Sequence, residues 1–167
     1  MPGCELCLAI REKELVLFED PHSVVILHPH GAVPGHLLVI PRVHYGIMEQ
    51  MPDEDLRQLF RVTKLMATSL EKGIGTKELN VIITNGPAAG QEFPHFSIHI
   101  IPRGKGDTVK MGWEPASVSK SDMDTIEVKL KEACRQFKRV EEKREVSEEP
   151  IAIPKESYQI KHVRRIP

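Results

Sequence analysis

The chain is poor in cysteine, in aromatic side chains and in long apolar runs. Three of its 167 residues are cysteine and 5% are aromatic. A scarce and odd number of cysteines does not suit a disulfide framework, so we expect a reducing, cytoplasmic compartment. No run of about 18 apolar residues occurs, and no apolar segment follows a basic start at the N-terminus, so we expect neither a membrane span nor export.

A surplus of charge is also missing. Lys and Arg together number 23 and Asp and Glu number 24, which gives a formal net charge of -1. Binding of nucleic acid through many phosphates requires a basic surplus, so a nucleic-acid partner is disfavoured. The hypothesis of a zinc-stabilised nucleic-acid-binding module is kept only because residues 151–167 are basic.

Short β-branched runs broken by Pro and Gly, together with one long helical period, predict an α+β fold. We expect an antiparallel sheet of about five strands and two main helices, because the first connections are too short for parallel crossovers. The predicted strands are residues 14–20, 23–28, 36–41, 79–84 and 95–101, and the last two should pair across the AAGQ loop. The first helix is predicted from Pro52 to Gly73 and the second from Ser121 to about Val140. The apolar stripe of the first helix consists of Leu56, Leu59, Phe60, Thr63, Ala67 and Leu70.

A chain of this length suits one compact core, which residues 1–143 are expected to form. Residues 144–167 form a predicted tail. The tail ends in β-type apolar residues with a net positive charge, so it either docks on the domain or on a dimer partner, or is disordered.

Histidine, in contrast, is plentiful, and two histidines frame a serine in PHFSIHIIPR. The chain has eight histidines. Alternate side chains of a strand share a face, so His95, Ser97 and His99 are expected to line one side while the residues between them enter the core. Neighbours on one face lie about 6.6 to 6.8 Å apart, so such a row can span a phosphate and its leaving group. A solvated sheet face is the alternative interpretation.

The sequence around this row resembles the histidine triad family. That family's motif is His-x-His-x-His, preceded by an Asn-x-Gly turn and a Gly-Gln pair, and the chain reads NGPAAGQEFPHFSIHIIPR from Asn85 to Arg103. Upstream, PGHLLVIP is similar to the strand that enters the family's nucleotide cleft. The resemblance covers residues 4–103. It implies an α+β fold, a homodimer, and a purine nucleotide or nucleotide conjugate as ligand.

The resemblance also implies roles for single residues. In active members the middle histidine attacks the α-phosphate and forms a nucleotidyl-histidine intermediate. By position, His99 contacts phosphate, while Asn85 and Gln91 present amide donors to phosphate oxygens. The chain is thereby related to hydrolases and nucleotidyl transferases that act at the α-phosphate of purine nucleotide conjugates.

The chain departs from the family at the middle position, where it has Ser97. A serine hydroxyl is a weak nucleophile unless a base takes its proton, and His99 or a residue of the tail would have to be that base. The alternatives are a cleft that binds or senses nucleotide with the covalent step lost or slowed, and an engineered serine that traps a ligand. The sequence leaves both an enzyme and a non-catalytic binding protein open.

A second departure lies at His28, where the family usually has Asp or Asn in contact with the ribose hydroxyls. A carboxylate accepts two hydroxyl donors, whereas a neutral imidazole accepts one, so we expect ribose binding to be weaker or different. Alternatively, His28 and His30 are turn residues beside Pro29.

The pair Cys4-x-x-Cys7 is spaced to share one tetrahedral ion, and structural zinc sites usually have four Cys or His ligands. His44 and His95 resemble the third and fourth ligands of zinc-bearing histidine triad proteins and of galactose-1-phosphate uridylyltransferases. The resemblance thus implies a structural Zn²⁺ that ties the N-terminus to the motif. A reduced thiol pair is the alternative, and Cys134 is interpreted as a core residue of the second helix.

Overall fold

The computed structural model of the protein describes residues 3–135. The chain divides after Gly112 into two compact units, and the first carries the sheet. Among the described residues, none of the helices combines the length and the apolar character that crossing a bilayer requires. The predicted tail, residues 144–167, lies outside the described residues, as does the predicted end of the second helix near Val140.

Within residues 3–135, the first unit contains two α-helices and five β-strands, and the second contains one helix. In chain order they are α1 (Glu5–Glu12), β1 (Val16–Glu19), β2 (Ser23–Leu27), β3 (Leu37–Pro41), α2 (Asp53–Ile74), β4 (Glu78–Ile82), β5 (Ile98–Arg103) and α3 (Lys120–Arg135). These elements confirm the predicted α+β class and the antiparallel sheet of five strands. The sequence pattern does not predict α1, whose 8 residues make little more than two turns.

The sheet has the order β1-β2-β3-β5-β4, and every neighbouring pair is antiparallel. Within the described residues, β5 is the last strand in sequence, and it is inserted between β3 and β4. The predicted pairing across the AAGQ loop is confirmed, since β4 pairs with β5. His99 in β5 stands opposite Leu38 in β3 and Ile82 in β4, so it lies on an interior strand.

Both faces of the sheet are covered. On one face, Leu37 and Val39 of β3 pack with buried residues of α2. On the other face, Leu38 packs in one cluster with Leu6 of α1. Residues directly opposite each other in an antiparallel pair share a face, so His99 lies on the α1 side together with Leu38.

Helix α2 agrees with the predicted helix, but its buried stripe is rotated. It runs from Asp53 to Ile74 and ends at Gly75, whose φ of 75° is left-handed. Phe60, expected in the stripe, is 46% exposed, because it lies on the flank of the face that meets the sheet. The buried residues are Leu59, Val62, Thr63, Met66 and Leu70.

Along α3, which is described as far as Arg135, no residue is buried. Cys134, interpreted from the sequence as a core residue, is exposed, so that interpretation is wrong. Apolar residues at helical spacing predict that a helix has an apolar face. The spacing alone does not predict that this face is buried.

Gly35 gives a test of how tightly the turn before β3 is packed. Its φ is 87°, and a Cβ there would stand 3.0 Å from Cδ1 of Ile74 and 3.3 Å from Cγ of Pro102. We expect Gly35→Ala to lower the free energy of unfolding by about 1 to 3 kcal/mol, because it combines left-handed strain with these contacts. Urea unfolding measures the change.

Gly73→Ala is the matched control. Gly73 lies inside α2, and its added Cβ would meet nothing within 4 Å. Ala should stabilise this position by up to about 1 kcal/mol because it is the better helix former. Equal stabilities of the two variants would contradict this account of the turn.

Candidate functional site

Two thiols at the start of α1 meet two imidazoles, one of which belongs to the segment just before β5. Sγ of Cys4 and Sγ of Cys7 lie 3.6 and 3.5 Å from Nδ1 of His95. Sγ of Cys7 lies 3.3 Å from Nδ1 of His44. One ligand atom of each of the four lies within 4.8 Å of the others. The structure thus brings together the four residues predicted as metal ligands.

These four side chains fit a tetrahedral ion. With Zn–S bonds of about 2.3 Å and Zn–N bonds of about 2.0 Å, tetrahedral S and N ligands stand about 3.5 Å apart, as they do here. Nε2 of His95 donates to the carbonyl oxygen of Pro41 at 3.1 Å, so the ring's lone pair is on Nδ1, beside the sulfurs. Burial, followed by the adjacent Cys4, raises the pKa of the Cys7 thiol, so the thiolate form of Cys7 needs a cation beside it.

Ser97 and His99 meet at the beginning of β5. The strand begins at Ile98, so His95 and Ser97 precede it, which corrects the predicted strand 95–101. Ser97 is 6% exposed, and its Oγ lies 3.5 Å from Nε2 of His99. The predicted row is therefore divided: Ser97 and His99 stay neighbours, while His95 joins the thiols.

His36, immediately before β3, fixes the direction of the hydrogen bonds at this pair. Its Nδ1 accepts the N–H of Ala32 at 3.1 Å, and its Nε2 lies 3.1 Å from Nδ1 of His99. A neutral imidazole has one lone pair and one N–H, so the hydrogen of His36 is on Nε2. His36 then donates to Nδ1 of His99, and the Nε2–H of His99 donates to Ser97. We call this chain, from Ala32 through His36 and His99 to Ser97, the histidine relay.

Both imidazoles of the relay are neutral near pH 7. Burial, followed by repulsion from His28 and His99, lowers the pKa of His36 to about 4. Burial, followed by His28, also lowers the pKa of His99. Because both rings are neutral, each keeps one donor and one acceptor, and Nε2 of His99 cannot accept the proton of Ser97.

His28 stands beside the relay, just after β2. Its buried ring lies with its centroid 4.4 Å from that of His36 and 5.7 Å from that of His99. Its Nδ1 accepts the N–H of His30 at 3.1 Å, so its own hydrogen is on Nε2, which lies 3.2 Å from a carboxylate oxygen of Glu92. The predicted nucleotide residue His28 is thus brought to His99, whereas the side chain of His30 is exposed.

Asn85 and Gln91 lie in the connection between β4 and β5, and their amides bond within the chain. Gln91 accepts the backbone N–H of Gly86 at 2.7 Å and donates to two backbone carbonyls at 2.8 Å each. Asn85 accepts a backbone N–H and donates to the carboxylate of Glu49. These bonds brace the loop, and contact of either amide with phosphate stays a prediction.

Two residues of the site, His36 and Glu92, are not among those predicted. His36 heads the apolar run HLLVIP, and a histidine at that position is the signal that could have revealed it. No signal distinguishes Glu92 from the other acids, because its partner His28 is 64 positions away in sequence.

The chain is thus an α+β protein with a five-strand antiparallel sheet and with histidines before and within the inserted strand β5. Comparison with known proteins shows which family has this arrangement. The family model for the HIT domain matches residues 11–106, more than half of the chain. The chain therefore belongs to the HIT family, which confirms the histidine triad resemblance.

Relatives and solved structures agree with this assignment. An uncharacterized HIT-like protein from Methanocaldococcus jannaschii is 36% identical over 118 residues, which cover 70% of this chain and 88% of that protein. An adenosine 5'-monophosphoramidase from Saccharomyces cerevisiae is 30% identical over 127 residues, 74% of this chain and 76% of that enzyme. The crystal structure of a HIT family member from Bacillus subtilis has a TM-score of 0.69 at 29% identity and covers 78% of this chain and 96% of that one.

The histidine relay predicts the tautomers of His36 and His99, which NMR can measure. In ¹⁵N–¹H correlation spectra near neutral pH, we expect His36 and His99 to be in the Nε2–H form, because a donor points at Nδ1 of each ring. The exposed ring of His30 is the control and should exchange between both forms. An Nδ1–H form of His99 would show that the relay runs in the opposite direction.

Proposed function

We propose that the chain binds a purine nucleotide or nucleotide conjugate, with a phosphate at Ser97 and His99. The observation that carries the proposal is the direction of the relay, which leaves the Nε2–H of His99 and the Ser97 hydroxyl as two donors 3.5 Å apart. This distance is long for a hydrogen bond, so both donors can turn to a ligand oxygen. Bonds to a charged acceptor are roughly twice as strong as neutral ones, which favours phosphate.

The proposal that the ligand contains a purine and a ribose is supported by other observations. The histidine triad resemblance implies a purine, and the name of the yeast relative specifies an adenosine compound. For the ribose, the carboxylate of Glu92 beside His28 offers the paired acceptor that an imidazole lacks. Asn85 and Gln91 complete the proposed nucleotide-binding set as the residues that shape the adjoining loop.

The direction of the relay argues against a covalent step at Ser97. A serine attacks phosphorus only when a base removes its proton. Within residues 3–135, His99 is the side chain that hydrogen-bonds Ser97, and its lone pair faces His36 instead. We therefore propose nucleotide binding or sensing without a nucleotidyl-enzyme intermediate, and hydrolysis at the α-phosphate is the alternative.

We also propose that Cys4, Cys7, His44 and His95 hold a structural Zn²⁺. Two thiolates with two imidazoles suit zinc, and a closed set of four ligands leaves no position for substrate. The bound ion would stabilise charge on the two sulfurs. His95, anchored to Pro41 through its other nitrogen, would hold the segment that leads into Ser97.

The remaining parts of the proposal concern assembly and location. We propose one HIT-like domain, residues 1–143, with a tail that follows it, and a homodimer, as the resemblance implies. The free state of Cys4, Cys7 and Cys134 supports a reducing, cytoplasmic compartment. Sedimentation of the purified chain measures its oligomeric state.

Calorimetry with AMP tests the proposed ligand. We expect binding by the unaltered chain and an affinity about 10- to 100-fold weaker for His99→Ala, which removes a hydrogen bond to a charged acceptor. His22→Ala is the control, since His22 is exposed and bonds Asp55 away from the relay. No heat with millimolar AMP would overturn the nucleotide proposal.

Turnover separates binding from catalysis. With adenosine phosphoramidate, the unaltered chain and Ser97→Ala should give the same background of product. Ser97→His restores the nucleophile of active family members, and turnover by that variant would mean that only this group is missing. Product from the unaltered chain above the Ser97→Ala level would establish the hydrolase alternative.

Metal analysis tests the zinc proposal. After dialysis against a weak chelator, we expect about one tightly bound zinc per chain, because four ligands close the site. The double variant Cys4→Ser, Cys7→Ser should lose this ion and unfold more readily, while Cys134→Ser, a change at an exposed cysteine, should retain it. Equal zinc contents in the two variants would exclude this ligand set.

A further inference from the structure

Three imidazoles stand together in the cleft, separate from the thiol-containing cluster. His28 follows β2, His36 precedes β3 and His99 lies in β5. One ring nitrogen of each lies within 4.8 Å of the others. None of the three belongs to the Cys4, Cys7, His44 and His95 group, so the two clusters have no residue in common.

The spacing of the rings suits one central ion. With Zn–N bonds of about 2.0 to 2.1 Å, tetrahedral nitrogen ligands stand about 3.4 Å apart, and the bound rings have centroids about 5 Å apart. Here Nε2 of His36 and Nδ1 of His99 are 3.1 Å apart. The centroid separations are 4.4 Å for His28 and His36, 5.3 Å for His36 and His99, and 5.7 Å for His28 and His99.

We propose that His28, His36 and His99 form a second metal site, which takes a divalent transition-metal ion such as Zn²⁺. Imidazole nitrogens suit zinc, copper and nickel, whereas magnesium and calcium require oxygen ligands. The site depends on His28, the residue at which this chain departs from the family's Asp or Asn. It does not depend on nucleotide binding.

Two of the three rings, those of His28 and His99, have the oxygen partner that metal-bound histidines usually have. A metal-bound histidine usually donates its other N–H to a carboxylate, a carbonyl or another oxygen. Nε2–H of His28 donates to Glu92, and Nε2–H of His99 donates to Ser97. Both rings therefore carry their lone pair on Nδ1.

Metal binding has to displace two hydrogen bonds from the turn that joins β2 and β3. The N–H groups of His30 and Ala32 now donate to Nδ1 of His28 and Nδ1 of His36. His36 must also move its hydrogen from Nε2 to Nδ1 in order to ligate through Nε2. Residues 30–32 are exposed, so water can take over both backbone donors.

Three imidazole ligands leave at least one coordination position of the ion open. Since His99 also contacts Ser97, the ion would stand close to the proposed phosphate position. It would supply positive charge beside the proposed phosphate position, and a phosphate oxygen could fill its open position.

Zinc titration of the full-length chain tests the site. With the tight equivalent already bound, the unaltered chain should take up a second Zn²⁺ equivalent. His28→Ala should abolish this second equivalent and retain the first, which also shows that the variant is folded. Glu92→Gln should weaken the second equivalent by about 10- to 100-fold, as is usual when a residue that orients a ligand is changed. His30→Ala, a change in the same turn that keeps the backbone N–H, is the control and should bind as the unaltered chain does.

Two further readouts decide between this site and an adventitious ion only. Addition of the second equivalent should convert His36 from the Nε2–H to the Nδ1–H form in ¹⁵N–¹H spectra. Co²⁺ in the second site should give a ligand-field spectrum without the thiolate band that Cys4 and Cys7 give.

A single equivalent in the unaltered chain, or a second equivalent that survives His28→Ala, would overturn the proposal. AMP binding by the chain with one zinc is measured separately, so its failure and the failure of the second site are distinguishable.

Discussion

The alternation of side chains along β5 and the residues just before it is the constraint on which the rest of the structure depends. Phe96, Ile98 and Ile100 are buried in the cluster shared with α2, and they seat the strand between β3 and β4. The residues between them must then turn to the other face of the sheet. This places His95 and His99 on one surface, where His95 contacts the thiols and His99 forms part of the histidine relay.

The sheet was predictable because its strands are apolar at the positions that the core requires. The four metal-site residues were predictable because their types and order resemble a known pattern. The remainder depends on tertiary contacts. Helix α1 is too short to show a period, and the buried face of α2 is set by what the sheet presents, so Phe60 falls outside it. The approach of Glu92 to His28 joins two loops that only the folded sheet brings together.

A backbone group determines the acid–base character of the cleft. The N–H of Ala32 places the lone pair of His36 on Nδ1, and the consequence passes to His99 without any charged partner. The tautomers of histidine rings are set by the hydrogen bond that the other nitrogen of each ring makes. Here the turn between β2 and β3 sets them, so the geometry of that turn is as important for the chemistry of the cleft as the side chains that line it.

His95 and Ser97 also differ in what holds them in place. His95 is completely buried and bonded to the strand end at Pro41, so replacing it would leave a buried carbonyl without its donor. Ser97, two residues away, has one side-chain hydrogen-bond partner within residues 3–135, His99 at 3.5 Å. The side chain at position 97 can therefore change without the loss of a hydrogen bond that holds the scaffold, so the chemistry of the cleft can be altered by any side chain that fits this buried position.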